Sequence, residues 1–225
     1  DEHNAPIDVT LVEGLDEVFP GNDAELQGAL RSRLETRDVG IRTGEFISQA
    51  DAEAVYLGGD EDDPGEELPY DVLIWTGGIT GHDEVHGVEL EQDDRSPRVH
   101  AESDFRTSDE RVFAVGDAAL VDQGEDTVAP PTAQAAWQAA EVAGENVARA
   151  VEGRPLKTWR HDDKGTVVSV GDDAVAHGVK LPGLGKLPVN VFGGPAARNL
   201  KKAIAARWIA DVSSMRDALS AWESM

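Results

Sequence analysis

The chain has 225 residues and carries 44 acidic against 20 basic residues, which gives a formal net charge of -24. This charge repels phosphate backbones, so a nucleic acid is disfavoured as a partner. Cysteine is absent, which excludes a redox disulfide, a thiolate metal site and an iron–sulfur cluster held by this chain.

The acidic residues accompany an ordinary globular composition with 40% hydrophobic residues, which disfavours wholesale disorder. Only six of the basic residues are lysine, and an acid-rich, lysine-poor surface is typical of halophilic proteins in screening salt. An acidic protein at ordinary salt is the alternative. No run of about 18 apolar residues predicts a membrane-spanning helix. Because the chain begins without Met and without a signal-peptide pattern, we expect a fragment that starts within a domain.

The first third of the chain predicts strands around one helix. An apolar, β-branched strand covers Ile7 to Gly14. A helix follows, which Asn22 or Asp23 caps and Gly40 closes, with leucines at a spacing of four. Short strands and an acidic loop then lead to an apolar strand from Asp71 to Trp75. This order is typical of the back half of a doubly wound α/β domain, although the chain contains no G-x-G-x-x-G.

The pattern changes near residue 97. The stretch "RVFAVGD" predicts a buried strand that ends at Gly116-Asp117. An alanine-rich helix begins after Pro130-Pro131 and ends at Gly153. Two further strands are predicted at residues 166–170 and 174–177, before a last helix.

Two acidic residues follow predicted strands. Glu13 lies where a dinucleotide-binding unit hydrogen-bonds the adenosine ribose and repels a 2′-phosphate; a plain strand end before a turn is the alternative. Asp117 follows Gly116 in "AVGDAA". At the carboxyl edge of a sheet its carboxylate can accept hydrogen bonds from sugar or polyol hydroxyls, and the alternative is an Asp that caps the next turn.

The helix after "PPT" begins with small side chains. Its first turn, Thr132 to Ala135, exposes N–H groups and the positive end of the helix dipole. That environment suits a ring edge that gains negative charge on reduction, such as a flavin pyrimidine. Gln134 and Gln138 are four residues apart and share one helix face. The alternative is an alanine-rich helix that only packs closely on its neighbours.

The last predicted helix carries one continuous apolar stripe. Its apolar residues recur at spacings of three and four: Leu200, Ile204, Trp208, Val212, Met215, Leu219 and Trp222. Residues 198–225 contain five basic and three acidic residues, a local charge of +2. Such a helix can lie in the headgroup region of an anionic membrane, with tryptophans at the interface. Packing on the protein or on a second subunit, as in a homodimer, is the alternative.

Several motifs together resemble a known family. "RVFAVGDAA", with Thr107 before it, is similar to the second flavin-binding motif of the two-dinucleotide-binding-domain flavoproteins, the pyridine nucleotide-disulfide oxidoreductase fold. "VTLVEG" and "DVLIWTGG" resemble the end of their inserted NAD domain. More narrowly, "AQAAWQ" matches the A-Q-x-A-x-Q pattern of type II NADH:quinone oxidoreductases. "DKGTVVSVGDDAVA" from Asp163 and "GGPAARNLKKAIAARWI" from Gly193 resemble the C-terminal region of that family.

The resemblance implies an α/β fold that is part of a two-domain flavoprotein, with Rossmann-like FAD and NAD domains and a C-terminal amphipathic helix. Residues 1–96 would be the distal part of the NAD-binding domain. Residues 97–157 would close the FAD-binding domain, and residues 158–225 would form a C-terminal β region and a membrane-associating helix.

The resemblance also implies roles in NADH binding. Glu13 would hold the NADH ribose, which favours NADH over NADPH, and Thr76, Gly77 and Gly78 would lie beside the dinucleotide. The amino-terminal glycine motifs of the family and its acidic residue near the nicotinamide are not in this chain. We therefore expect an isolated fragment to bind neither cofactor well.

Other positions correspond to the flavin-binding residues of the family. Asp117 would bind the ribityl chain of FAD, with Gly116 and Ala118 close to it. Ala133 and Gln134 would face the flavin from the start of the helix.

The implied activity is FAD-dependent electron transfer from NADH to a membrane quinone, without proton pumping, in a respiratory chain. Gln134 and Gln138 would line the quinone approach, and Lys164 would lie near the flavin or the quinone. The protein would be cytoplasmic and peripheral on the inner face of the cell membrane, through residues 198–225.

Other functions remain open from the sequence. The absence of cysteine weighs against disulfide reductases and sulfide:quinone oxidoreductases, although their cysteine pairs typically lie in segments that include parts absent here. A soluble NAD(P)H-dependent flavin reductase with another acceptor is one alternative. An acidic scaffold without a cofactor is another.

Overall fold

The computed structural model describes residues 7–60, 62–85, 87–181, 183 and 185–222. The chain forms two compact units. The discontinuous unit consists of Asp1–Leu73 and Lys164–Met225, and the continuous unit consists of Ile74–Asp163. The three regions inferred from the sequence, with boundaries at 96/97 and 157/158, stay a prediction.

The described residues form strands and helices in both units. The strands are Val9–Glu13 (β1), Val39–Thr43 (β2), Ile47–Ala50 (β3), Ala54–Gly58 (β4), Gly65–Pro69 (β5), Val99–Ala101 (β6), Ala119–Gly124 (β7), Thr127–Val128 (β8), Thr166–Val170 (β9), Asp173–His177 (β10), Lys180–Leu181 (β11), Gly185–Lys186 (β12) and Val191–Gly193 (β13). The helices are Ala24–Glu35 (α1), Ala133–Val151 (α2), Gly194–Val212 (α3) and Met215–Ala221 (α4), with short 3₁₀ turns at Asp83–Val85 and Gly116–Ala118.

The discontinuous unit begins with a strand–helix–strand unit. β1 and β2 pair in parallel, and α1 is the crossover that a parallel pair requires. Asp23 caps α1 by accepting a hydrogen bond from the N–H of Glu25 at 2.9 Å. The predicted end of this helix at Gly40 is wrong. The helix ends at Glu35, Asp38 takes the left-handed conformation that Asp tolerates (φ 56°), and Gly40 lies in β2.

A second sheet of the discontinuous unit has the order β13-β10-β9 and is antiparallel. The strands predicted at residues 166–170 and 174–177 are confirmed as β9 and β10. Leu26 and Leu30 of α1 pack on Val175 of this sheet in one buried cluster. Each such side chain contributes about 1.5–3 kcal/mol through burial, so α1 and the C-terminal sheet share one core.

The single C-terminal helix predicted from the apolar stripe is wrong. Ser213 leaves the helical conformation (φ -134°, ψ -92°), and the Ser214 side chain caps α4 by accepting from the N–H of Asp217. α4 packs against α3, with Ala218 buried. The stripe remains largely exposed along both helices, at Ile204, Trp208, Val212, Met215, Leu219 and Trp222.

The continuous unit pairs β6 and β7 in parallel and adds β8 in antiparallel. The predicted alanine-rich helix is confirmed as α2, and Gly153 follows it with φ 67°. Ala135, Ala139 and Ala143 recur every four residues and form its buried face. Because these side chains are only methyl groups, α2 lies close to the core, which includes Phe105 and Trp159 with ring centroids 5.6 Å apart.

Two predicted strands are wrong. In the stretch around Phe113 the only pairing among the described residues is an isolated bridge to Arg106, and the regular strand β7 begins after Asp117. Residues 71–80 form no strand, and Val72 and Ile74 are exposed. A strand needs a ladder partner on at least one side, and no described residue pairs with residues 71–80. No helix among the described residues is both long and apolar enough to cross a membrane.

Candidate functional site

The residues predicted to bind a polyol form the 3₁₀ turn Gly116–Ala118, directly before β7. Gly116 has φ 75°, a conformation that glycine adopts without strain. The turn packs against α2, and a Cβ added to Gly116 would lie 3.7 Å from the Cβ of Ala136. Asp117 is exposed, and no described residue donates a hydrogen bond to its carboxylate. The turn therefore offers an acceptor to a ligand.

Arg98 binds the backbone of this turn, and its role was not predicted from the sequence. Its side chain is largely buried, Nε donates to the carbonyl oxygen of Asp117 at 2.7 Å, and Nη2 donates to that of Ala119 at 2.7 Å. Charge-assisted bonds of this kind are stronger than neutral ones, so the guanidinium fixes the backbone on both sides of Ala118. A signal was available in the sequence, namely an arginine directly before an apolar strand in an acid-rich chain.

The start of α2 lies against this turn. Thr132 caps the helix: its Oγ1 accepts from the N–H of Ala135 at 3.2 Å, and its carbonyl accepts from that of Ala136 at 2.9 Å. Ala133 is exposed, and its N–H has no acceptor among the described residues. Gln134 is half-buried. The helix therefore presents an open N–H and the positive end of its dipole, behind a single methyl group.

The space between the turn and α2 is nearly filled. A cavity of about 10 Å³ lies there, which is room for a single water molecule. Its lining residues are Gly116, Val121, Ala129, Pro130, Ala135, Ala136, Ala139 and Trp159. A ring-sized ligand must therefore bind on the exposed side of the turn, where Asp117 and Ala133 lie.

The side chain of Gln138 forms two hydrogen bonds within the protein. Its Nε2 donates to the carbonyl oxygen of Asp162 at 2.9 Å, and its Oε1 accepts from the N–H of the same residue at 3.0 Å. Both ends of the amide thus tie α2 to the segment after Trp159. The predicted quinone contact of Gln138 stays a prediction, and it would require these two bonds to open.

The predicted NADH residues lie in different units. Glu13 ends β1, where ligands of parallel sheets bind, and its Oε1 accepts from the N–H of Leu15 at 3.0 Å. The same bond is expected if Glu13 only ends a strand before a turn, which was the alternative to ribose binding. Thr76, Gly77 and Gly78 form an exposed turn in the continuous unit, with Gly78 at φ 92°.

Lys164 was predicted to lie near the flavin or the quinone. It is exposed and belongs to the discontinuous unit, where its carbonyl accepts from the N–H of Lys180 at 3.0 Å. The structure thus brings five of the predicted residues to one turn and one helix start within the continuous unit: Gly116, Asp117, Ala118, Ala133 and Gln134. It does not place Glu13 or Lys164 in that unit.

The parallel strand–helix–strand unit and the glycine turn held against a helix start define an α/β protein of the dinucleotide-binding class. The sequence profile of the family described as "Pyridine nucleotide-disulphide oxidoreductase" matches residues 3–140. The chain belongs to this family, and both the predicted fold class and the resemblance drawn from the motifs are confirmed.

Curated relatives include two kinds of enzyme. The type II NADH:quinone oxidoreductase of Haemophilus influenzae is 28% identical over 191 residues, which cover 83% of this chain and 41% of the relative. The dihydrolipoyl dehydrogenase of Haloferax volcanii is 31% identical over 196 residues, which cover 83% of this chain and 40% of the relative. The chain therefore spans less than half the length of these two relatives.

A solved structure matches nearly the whole chain. The structure of NDH2 from Plasmodium falciparum in complex with NADH superposes with a TM-score of 0.67 at 13% sequence identity, and covers 96% of this chain and 57% of that one. At this identity the likeness shows the fold alone.

Proposed function

We propose that the whole protein is a FAD-dependent NADH:quinone oxidoreductase that does not pump protons and serves a respiratory chain. The observation that carries the proposal is the turn Gly116–Ala118 against the start of α2, because it combines an exposed carboxylate with an open helix N–H on one surface. The A-Q-x-A-x-Q pattern at residues 133–138 and the similarity to the Haemophilus influenzae enzyme support the choice of quinone as acceptor.

The residues present fit a flavin cofactor. The carboxylate of Asp117 is an acceptor for polyol hydroxyls, and the left-handed Gly116 has no side chain that would obstruct a ligand. The N–H of Ala133 and the positive end of the α2 dipole would stabilise negative charge on the ring. When bound, FAD supplies the two-electron carrier between donor and acceptor.

This chain's own residues would then position and select the substrates. Glu13, at the carboxyl end of β1, would accept hydrogen bonds from the NADH ribose and repel a 2′-phosphate. Gln134 would contact the quinone from the start of α2. Arg98 would keep Asp117 in place, since it fixes the backbone of the turn on the side away from the ligand.

We further propose that the α3–α4 pair binds the surface of an anionic membrane. Its tryptophans and aliphatic residues are exposed, and residues 198–225 carry a local charge of +2 within a chain of -24. An exposed apolar stripe flanked by basic side chains favours the interface between water and lipid. Such binding would bring the protein to a quinone dissolved in the bilayer, on the cytoplasmic side.

The dihydrolipoyl dehydrogenase of Haloferax volcanii has a comparable percentage identity, 31% against 28%, so the acceptor must be tested directly. We expect NADH oxidation by the full-length protein to rise when a short-chain quinone is added. Unchanged NADH oxidation with quinone would reject the quinone assignment and leave a flavin reductase with another acceptor. A purified protein without a flavin absorbance band would instead support a scaffold without a cofactor.

The flavin assignment is tested by comparing Asp117→Ala with Glu141→Ala, since both remove an exposed acid of the continuous unit. Loss of one or two hydrogen bonds to a carboxylate costs about 1.5–3 kcal/mol, so FAD should bind about 10- to 100-fold more weakly to Asp117→Ala alone. Equal FAD retention by the two variants would contradict the assignment.

Membrane binding is tested with the double variant Trp208→Ser and Leu219→Ser, whose side chains are 51% and 68% exposed. Because both are exposed, the fold should persist while binding to anionic vesicles falls by about 100-fold or more. Val147→Ser also replaces an exposed apolar side chain with serine, but on α2, and it should leave vesicle binding unchanged. Unchanged binding by the double variant would mean that the stripe does not meet the membrane.

A further inference from the structure

The discontinuous unit gathers metal-binding side chains at the start of α1, and none of them was assigned above to a cofactor or a quinone. Asp23, Glu25 and His177 each offer one ligand atom, and these atoms lie within 4.8 Å of one another. Asp23 and Glu25 lie at the start of α1, and His177 ends β10. His177 is far from the other two residues in the sequence, so the fold assembles the cluster.

We propose that Asp23, Glu25 and His177 bind a divalent transition-metal ion of the zinc class. The His177 Nε2 and Asp23 Oδ1 atoms are 3.6 Å apart. Zinc–nitrogen and zinc–oxygen bonds of about 2.0–2.2 Å at tetrahedral angles place two ligands about 3.4 Å apart. This pair therefore already has nearly the spacing of metal ligands, and the ligand atom of the exposed Glu25 lies within 4.8 Å of both.

Asn190, next to β13, lies beside the cluster and offers a fourth ligand. Its Nδ2 lies 3.0 Å from Oε2 of Glu25 and 3.3 Å from Nε2 of His177. Its Oδ1 is buried and has no donor among the described residues, which is costly for a polar atom. A half-turn of the amide would direct Oδ1 toward the Glu25 and His177 acceptors. In that orientation three acceptors would face one another, an arrangement that a bound cation would stabilise, and the amide oxygen would then be the fourth ligand.

The surroundings hold these ligands in place before any ion binds. Leu26 and Leu30 of α1 pack on Val175, two residues before His177, in a buried cluster. The carbonyl of Asn190 accepts from the N–H of Gly178 at 2.9 Å. Because the backbone positions are fixed by this packing, metal binding would cost little ordering of the chain. The ion would link the start of α1 to the C-terminal sheet.

The ligand types predict the choice of metal. An imidazole nitrogen suits zinc, cobalt or nickel, whereas calcium and magnesium take almost only oxygen ligands and more of them. A chain of net charge -24 also attracts divalent cations without a defined site. Measurements in about 1 M salt, where the Debye length is about 3 Å, remove most of this background.

The test is a titration of the purified protein with Zn²⁺ in competition with a chromophoric chelator. Co²⁺ is used separately, as a spectroscopic probe of coordination. We expect one tight Zn²⁺ per chain, visible absorption bands with Co²⁺, and a melting temperature that rises with Zn²⁺. Excess Mg²⁺ or Ca²⁺ should not displace the ion.

Two variants each remove one ligand, and each has a matched control elsewhere in the chain. Glu25→Gln and His177→Gln should bind Zn²⁺ at least about 100-fold more weakly. Glu141→Gln and His82→Gln, which change exposed side chains of the continuous unit, should bind as tightly as the unchanged protein. Because Glu25 is exposed, its variant tests the site even if His177→Gln unfolds. Equal affinity in Glu25→Gln and Glu141→Gln, or several weak sites without cobalt bands, would overturn the proposal.

Discussion

Gln138 ties α2 to the segment after Trp159, and its removal should loosen that segment measurably. The two hydrogen bonds of its amide, at 2.9 and 3.0 Å, both go to the backbone of Asp162. A neutral hydrogen bond contributes about 0.5–1.5 kcal/mol net. Because the Asp162 backbone groups can bond to water when the segment opens, Gln138→Ala should lower the free energy of opening by only about 1–2 kcal/mol. Opening of the Asp162 amide should then become about 5- to 30-fold more frequent.

Amide hydrogen exchange followed residue by residue measures this effect at Asp162. Gln123→Ala is a matched control, since Oε1 of Gln123 accepts from the N–H of the neighbouring His161 at 2.7 Å. Exchange should rise mainly at Asp162 in the first variant and mainly at His161 in the second. Unchanged exchange at Asp162 in Gln138→Ala, together with a raised KM for quinone, would refute the tether and favour a direct quinone contact.

Two further predictions concern stability. Asn146 is fully buried and bonds three backbone groups, so Asn146→Leu should lower the free energy of unfolding by about 3 kcal/mol in urea titrations; a loss below about 1 kcal/mol would contradict this. The N–H of Ala174, then that of Gly194 and the charge of Arg33, lower the pKa of Asp173. Its stabilisation is therefore present above its unfolded pKa and is lost as the pH falls through the lower folded value. Below about pH 4 the stability of the discontinuous unit should fall. The midpoint of its urea unfolding should therefore drop with acid, and it should drop less in Asp173→Asn.

Local signals in the sequence were sufficient for α2. The proline pair, the Thr132 cap and the glycine after the helix are all read within a few residues of where they act. The buried alanines at a spacing of four are equally local. Elements of this kind are predictable because their hydrogen bonds are made within the segment itself.

The strand predicted at "RVFAVGD" shows the opposite case. Its composition is that of a buried strand, yet in the structure the ladder begins only after Asp117. An apolar run indicates a tendency to be buried, whereas a strand also depends on hydrogen-bonding partners, which are often far away in the chain. The strand predicted from Asp71 to Trp75 is wrong for the same reason.

The break between α3 and α4 was encoded locally but was masked by periodicity. Ser214 and Asp217 have the S-x-x-D spacing of a helix start, and the structure uses it. The apolar stripe continues across the break with unchanged spacing, so the pattern of hydrophobic residues alone indicated one helix. A capping signal inside a periodic stretch should therefore take precedence over the stripe.

Long-range arrangements could not be predicted from one sequence. Arg98 donates to carbonyl groups that are 19 and 21 residues further along the chain. His177 lies 3.6 Å from Asp23, although the two belong to different sequence segments of the discontinuous unit. Neither contact has a characteristic spacing, because each depends on how two separately formed elements pack. The candidate site residues were found by motif, whereas the groups that hold them were found only in the structure.

The second glutamine of the A-Q-x-A-x-Q pattern is bound to the backbone of the chain itself. Gln138 closes a backbone tether, and the small cavity beneath α2 leaves no room for a ring. A flavin or quinone must therefore approach from the exposed side, where Ala133 and Asp117 lie. Under the proposed function, the first glutamine of the pattern would contact the acceptor, and the second would do so only after its two bonds to Asp162 open. Gln134→Ala should accordingly change the KM for quinone without changing exchange at Asp162, and the reverse should hold for Gln138→Ala.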